Sequence, residues 1–113
     1  MNPDEDFSEI CDYLIRHLGL KLAAYVCGLK NTRLILGWKH GKCPQIEAEV
    51  RVRYAHQAIL FIIEAFGADT AKAWLMGMNQ HLGDRAPAWV LRHGKRIEDL
   101  KLVVSAAKQF VAI

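Results

Sequence analysis

Residues 46–66 read IEAEVRVRYAHQAILFIIEAF and lie between Pro44 and Gly67. Apolar side chains recur every three or four residues along one face of a helix, namely Ile46, Val50, Tyr54, Ala58, Ile62 and Ala65. Four others make the second half of the stretch apolar on nearly every side, namely Val52, Ile59, Leu60 and Ile63. A helix of that kind is buried by neighbours on more than one side. We therefore predict a long central helix that joins two smaller helical regions.

The sequence on either side of this stretch predicts six more helices and no strand. Three precede it: a helix capped by Asp6 or Ser8 and ended by Gly19, then residues 20–27 and about 31–40. Three follow it: about residues 69–76, a short helix that begins at Pro87 and is closed by Gly94, and residues 97–113. The predicted fold class is all-α, with an N-terminal region (1–45), the central helix (46–67) and a C-terminal region (68–113).

The composition is that of an ordinary globular chain, with 52% hydrophobic residues, 24% charged residues and a net charge of +3. No apolar run approaches the roughly 20 residues that a membrane-spanning helix needs. The first residues, MNPDEDFSE, are acidic, unlike a signal or transit peptide. We therefore expect a cytoplasmic protein without a membrane partner.

Neither a metal site nor a catalytic site is predicted. The three cysteines, Cys11, Cys27 and Cys43, are interpreted as reduced core thiols, while the alternative, zinc held by Cys27, His40 and Cys43, lacks a CxxC pair. The five histidines are scattered, and the chain contains no Gly-rich phosphate loop, HExxH motif or nucleophile elbow. The sequence therefore favours a binding protein over an enzyme, without a cofactor.

Residues 20–41, LKLAAYVCGLKNTRLILGWKHG, match the pattern of a helix-turn-helix. Ala24 supplies the small residue of the first helix, Gly28 the turn, and Ile35 and Trp38 the inner face of the second helix. Residues 20–43 also carry five basic and no acidic side chains, which favours a polyanionic partner. The candidate DNA-binding residues are Asn31, Thr32, Arg33, Lys39 and Lys42. The alternative is a helical hairpin that keeps the shape for packing alone.

The last predicted helix has two apolar stripes. One consists of Ile97, Leu100, Val104, Ala107 and Val111, and the other of Val103, Ala106, Phe110 and Ile113. A helix at the chain end needs one stripe for its own core, so we expect the second to be exposed and to bind a partner, although terminal helices also expose apolar residues without a function. Five cations surround it, namely Arg92, Lys95, Arg96, Lys101 and Lys108.

Residues 70–113 resemble the C-terminal toxin-binding domain of the Xre/MbcA/ParS antitoxin family. The matching residues, in order, are Ala73-Trp74-Leu75, Asn79, Leu82-Gly83, Pro87, Val90-Leu91 and Gly94, followed by the terminal amphipathic helix. Trp89 departs from the family pattern, which has an aliphatic or acidic residue there. With the GWKHG and RYAHQ segments farther upstream, the resemblance covers about residues 20–113.

This resemblance implies a partner and a function. The partner would be a toxin of the RES-domain type, which consumes or transfers the ADP-ribosyl part of NAD. The antitoxin would obstruct the active-site entrance of that toxin and repress their shared promoter as a homodimer bound to operator DNA. The expected toxin-binding residues are Arg92, Lys95, Arg96, Lys101, Val103, Lys108, Phe110 and Ile113. The alternative is a stand-alone helix-turn-helix regulator that uses its C-terminal region to dimerise.

Overall fold

Capping side chains and glycines divide the chain into seven α-helices in the computed structural model, which describes residues 6–112. They are α1 (Phe7–Leu18), α2 (Leu20–Val26), α3 (Arg33–Lys39), α4 (Ile46–Phe66), α5 (Ala68–Met76), α6 (Pro87–His93) and α7 (Ile97–Val111). A single 3₁₀ turn, Gln80–Leu82, lies between α5 and α6. No strand occurs within these residues, so the all-α prediction is confirmed.

Several helix ends have the local cause that the sequence predicted. The Asp6 side chain accepts a hydrogen bond from the Ser8 N–H (3.0 Å) and caps α1. Gly19, at φ +83°, ends that helix in a backbone conformation that side chains with a Cβ rarely adopt. Pro87 occupies the first turn of α6, where its missing N–H costs nothing. The helix boundaries are therefore set mainly by local sequence.

The central helix buries only part of the predicted face, Ala58 and Ile62, and its buried side extends to residues outside that face. Its buried side chains are Val52, Ala55, His56, Ala58, Ile59 and Ile62. The predicted face fails at both ends, because Ile46 is 73% exposed and Ala65 is also exposed, while Val50 and Tyr54 are half-buried. The physical reason is that α1, α5 and α7 all pack against α4 and cover the side that carries Val52 and Ile59. The stripe through Ile46, Val50 and Tyr54 is left at the edge of that interface.

Helix α7 also differs from the prediction, because it has one broad buried face rather than a buried and an exposed stripe. Val103 is fully buried and Ala106 is 2% exposed, so the expectation that they lie on the surface is wrong. Helix α4 covers α7 on one side, and α6 with the 3₁₀ turn covers it on another. Conversely Ile97, placed in the core stripe, is 48% exposed.

Two arginines connect the C-terminal region to the rest of the fold. Arg51 of α4 donates to the carbonyl oxygens of Leu91 and Gly94 (2.7 Å for Gly94) at the C-terminal end of α6. Arg92 of α6 in turn donates to the carbonyl oxygens of Tyr25 (3.1 Å) and Leu29 (3.0 Å), at and just beyond the end of α2. The last carbonyls of a helix lack intrahelical partners and carry partial negative charge. A guanidinium at that position donates the missing hydrogen bonds and neutralises the negative charge. Each arginine thereby fixes one helix against another.

Trp38, which was predicted to lie on the inner face of its helix, is buried, and so is Trp74. Trp38 is 7% exposed and packs its ring against Phe7, with the centroids 5.6 Å apart. Trp74 is 9% exposed and lies 6.3 Å from the Phe110 ring. One core contains buried side chains from every helix, so the two regions flanking α4 share it.

The cysteines divide into two buried thiols and one exposed thiol. Cys11 and Cys27 are core residues as predicted, but Cys43 is exposed, which contradicts its interpretation as a core thiol. Burial raises the pKa of Cys11 to about 12 and that of Cys27 further still. Within residues 6–112, no group of three or more His, Cys, Asp or Glu side chains is arranged to hold a metal ion.

We expect a thiol reagent to modify one cysteine per native molecule and three after denaturation. The thiolate is the reactive form, and burial keeps Cys11 and Cys27 protonated and out of reach, whereas Cys43 is accessible. Mass spectrometry after alkylation at pH 8 counts the modified sites, and a Cys43→Ser variant is the control. Rapid native modification of two or three sites would contradict the described core.

Replacing Arg92 with Met should destabilise the protein by about 1.5–3 kcal/mol, because two carbonyl oxygens lose a charged donor. Arg16→Met is the matched control, since the Arg16 side chain is 60% exposed and its ion pair with Asp12 lies on the surface. Urea denaturation followed by circular dichroism measures both. An Arg92→Met midpoint equal to that of the control would refute the role assigned to this arginine.

Candidate functional site

An open groove runs along the surface between α4 and α7. It consists of three adjoining hollows of about 200, 340 and 380 Å³. The first two share Val50 and Ile97, and the last two share Tyr54 and Gln57. We call this continuous feature the α4/α7 groove.

The α4 wall of the groove contains the first three residues of the stripe that the sequence predicted to be buried, followed by Gln57. Ile46, Val50, Tyr54 and Gln57 are spaced four, four and three residues apart and line it in succession. From residue 46 to residue 57 an α-helix rises about 16 Å, which is about three turns. The groove is thus long enough to contact three turns of a helix or an extended segment of a partner.

The α7 wall combines apolar and cationic side chains. Ile97, Lys101, Val104 and Lys108 are spaced four, three and four residues apart on this side of the helix. The Lys108 ammonium lies 5.6 Å from the centroid of the Phe61 ring, within the range of a cation–π contact. The wall therefore places positive charge along the rim of an apolar strip.

Lys95 and Arg96 complete the groove at the end nearest Ile46. The Arg96 backbone N–H donates to Asp99, and that hydrogen bond is the main reason why the pKa of the Asp99 carboxyl is lowered. The Arg96 guanidinium also lies 3.4 Å from Asp99, whereas Lys95 has no carboxylate within ion-pair distance in residues 6–112. The structure thus brings together four of the predicted toxin-binding residues, namely Lys95, Arg96, Lys101 and Lys108.

The other predicted toxin-binding residues lie elsewhere. Val103 is in the core, and Arg92 is committed to the carbonyls of Tyr25 and Leu29 rather than to a surface rim, so both expectations of exposure are wrong. Phe110 is half-buried on the far side of α7, with its ring edge-on to Phe66 at 5.5 Å. Ile113 lies outside the described residues.

The predicted helix-turn-helix segment has the expected inner face. Ala24, Ile35 and Trp38 are buried as predicted, with α3 packed mainly against α1 and less against α2. Leu36 is half-buried, while Leu34 is 49% exposed.

The candidate DNA-binding side chains divide into those that are available and those already engaged. Arg33 and Lys42 are exposed, and Asn31 uses its side-chain oxygen to accept the Arg33 N–H (3.0 Å) at the start of α3. Thr32 is half-buried, and Lys39 forms an ion pair with Asp12 (3.4 Å). The Asp12 carboxyl also accepts from Arg16, and this hydrogen bond is the main cause of its lowered pKa.

Comparison with models of known protein families, with characterised proteins and with solved structures found no match to this chain. None of the helices in the described part combines the length and the apolar character needed to cross a membrane.

Sequence reasoning missed the α4 wall of the groove, although a signal was present. In the first half of α4, every second residue from Glu47 to Arg53 is charged, namely Glu47, Glu49, Arg51 and Arg53. So many charged side chains indicate that this half of the helix is not buried on all sides. Polar neighbours of that kind mark a half-exposed helix.

Proposed function

We propose that this protein is an antitoxin that binds a RES-type, NAD-consuming or ADP-ribosylating toxin and blocks its active-site entrance. The α4/α7 groove is the observation that carries the proposal. It offers an apolar floor flanked by Lys95, Arg96, Lys101 and Lys108, with Glu47 as its only lining carboxylate among the described residues. The resemblance of residues 70–113 to the toxin-binding domain of the Xre/MbcA/ParS family supplies the class of partner.

The chemistry of the groove favours an acidic, amphipathic segment of the toxin as the element bound. Apolar side chains of the partner would displace water from Ile46, Val50 and Ile97, which supplies binding free energy. Carboxylates beside them would pair with the lysines of the rim, which steer association and set orientation.

Charge reversal at the rim tests this proposal. We expect Lys101→Glu combined with Lys108→Glu to weaken toxin binding at least tenfold and to abolish growth protection on co-expression with the adjacent reading frame. Both side chains are exposed, so the fold is expected to persist. Each single reversal is compared with Arg16→Glu, a control on α1 that changes the net charge of the protein by the same amount. Undiminished protection by the double variant would exclude the groove as the toxin-binding surface.

Ile46→Asp tests the apolar part separately. Ile46 is 73% exposed, so the substitution costs little stability, but a carboxylate there would be desolvated when the partner binds. We expect at least a tenfold loss of affinity by calorimetry, with an unchanged thermal midpoint. Equal affinity of wild type and variant would place the partner elsewhere on the molecule.

The proposal includes repression of the shared promoter by a homodimer. It is supported by the exposed basic residues Arg33 and Lys42 near the two ends of α3. The second candidate, a stand-alone regulator, relies on the same surface. A toxin gene next to this one, and a complex formed on co-expression, would favour the antitoxin.

For DNA binding we expect Arg33→Ala to cost about 1–3 kcal/mol on the operator and little on random DNA, because arginine reads base edges. Lys42→Gln should weaken both equally and reduce the salt dependence, because one fewer counterion is released. Lys39→Gln should have a smaller effect, since Lys39 is paired with Asp12. Anisotropy titrations on DNA upstream of the gene measure all three, and absence of binding at low salt would leave α3 a packing element only.

A further inference from the structure

A second surface, beyond the α4/α7 groove, is formed by α6 and the turns on both sides of it. It is an open hollow of about 410 Å³ whose main side chains are Arg85, Trp89, His93, Lys95 and Arg96, here called the Trp89 cluster. A volume of this size lies in the range of small-molecule sites. Among residues 6–112, Asp99 is the only carboxylate that lines it, so three permanent cations face one anion.

The aromatic part of the cluster is an exposed, ordered stack. Trp89 is 43% exposed although it is the largest type of apolar side chain. Its ring is stacked with that of His93, with centroids 4.5 Å apart and planes inclined by 29°. The His93 Nδ1 lies 3.1 Å from the Trp89 carbonyl oxygen, and since a carbonyl only accepts, Nδ1 is the donor. This bond fixes the plane of the imidazole ring on the indole.

Two of the three cations are positioned by polar contacts. The Arg85 Nε–H donates to the Leu82 carbonyl oxygen (2.7 Å), which holds the guanidinium 5.7 Å from the Trp89 ring centroid. The Arg96 guanidinium lies 3.4 Å from Asp99, and the Lys95 ammonium has no ion-pair partner in the described part of the chain. A preorganised site loses little conformational entropy when a ligand binds.

We propose that the Trp89 cluster binds a nucleotide unit, a heteroaromatic base together with its phosphate. A stack of two aromatic rings accepts a base by further stacking, and the adjoining arginines and lysine supply the positive charge and hydrogen-bond donors that bind a phosphate. An acidic peptide would satisfy the cations but would make no use of the stack. The nucleotide unit comes either free in solution or within a single-stranded nucleic acid.

The test uses the full chain and three probes: ADP, a ten-residue oligothymidylate and inorganic phosphate. Trp89→Leu removes the ring while keeping an apolar side chain, and Trp89→Phe restores an aromatic face. Arg85→Gln removes one cation, and Arg16→Gln, far along the chain on α1, is the charge-matched control. Circular dichroism verifies that each variant is folded. We expect the Trp89 variants to fold because this side chain is exposed.

We expect ADP or the oligothymidylate to bind, and the stronger of the two identifies the source of the nucleotide. Trp89→Leu and Arg85→Gln should each weaken that binding about tenfold or more, while Trp89→Phe and Arg16→Gln change it less than threefold. Inorganic phosphate should compete only weakly, since it lacks the base. Absence of binding by both nucleotide probes, equal competition by phosphate, or an unaffected Trp89→Leu variant would each overturn the proposal.

Discussion

The fold depends on arginine side chains that cap the C-terminal ends of helices belonging to other parts of the chain. Arg51 reaches from α4 to the end of α6, and Arg92 reaches from α6 to the end of α2. Both side chains are half-buried, and burial lowers the pKa of Arg51 because a charge is less well solvated there. The carbonyl oxygens offset this cost by replacing water as acceptors. Gly28 is part of the same arrangement, since a Cβ at that position would lie 3.3 Å from the Arg51 side chain.

These contacts decide where the two candidate surfaces lie. Helix α6 has only seven residues, too few to be stable alone, so its position comes from Arg51 at its end and from Pro87, Val90 and Leu91 in the core. The turn after α6 then sets the start of α7 and hence the wall of the groove. The same helix presents Trp89 and His93 outward. Both surfaces therefore depend on one short helix fixed at its C-terminal end.

Element boundaries could be predicted from the sequence, whereas the full extent of the buried faces of α4 and α7 could not. Gly19 and Pro87 act through the local backbone, so their effect is visible without the rest of the chain. Which side of α4 is covered depends on where α7 packs, and that is decided by contacts some 50 residues apart. The stripe through Ile46, Val50 and Tyr54 was for this reason predicted to be core, and it lines a groove instead. Val103 was predicted to be exposed because a terminal helix needs only one buried face. It is buried because α6 packs against a second side of α7.

The candidate site was therefore predictable in charge but not in geometry. Lys95, Arg96, Lys101 and Lys108 were identified as a cationic rim, and long cationic side chains rarely lie in a core, so their exposure followed from residue type alone. Arg92 broke that rule, because a guanidinium can be buried when carbonyl oxygens surround it.

Lys95 and Arg96 border both the α4/α7 groove and the hollow of the Trp89 cluster. A phosphate held in the hollow would partly neutralise these two cations and would reduce the positive potential at the adjoining end of the groove. Under the two proposals, a bound nucleotide and an acidic partner would therefore weaken each other, and thermodynamic linkage makes the two effects equal in size. The shared pair also means that substitutions at Lys95 or Arg96 affect both surfaces. For that reason Lys101 and Lys108 report on the groove alone, and Trp89 and Arg85 on the hollow alone.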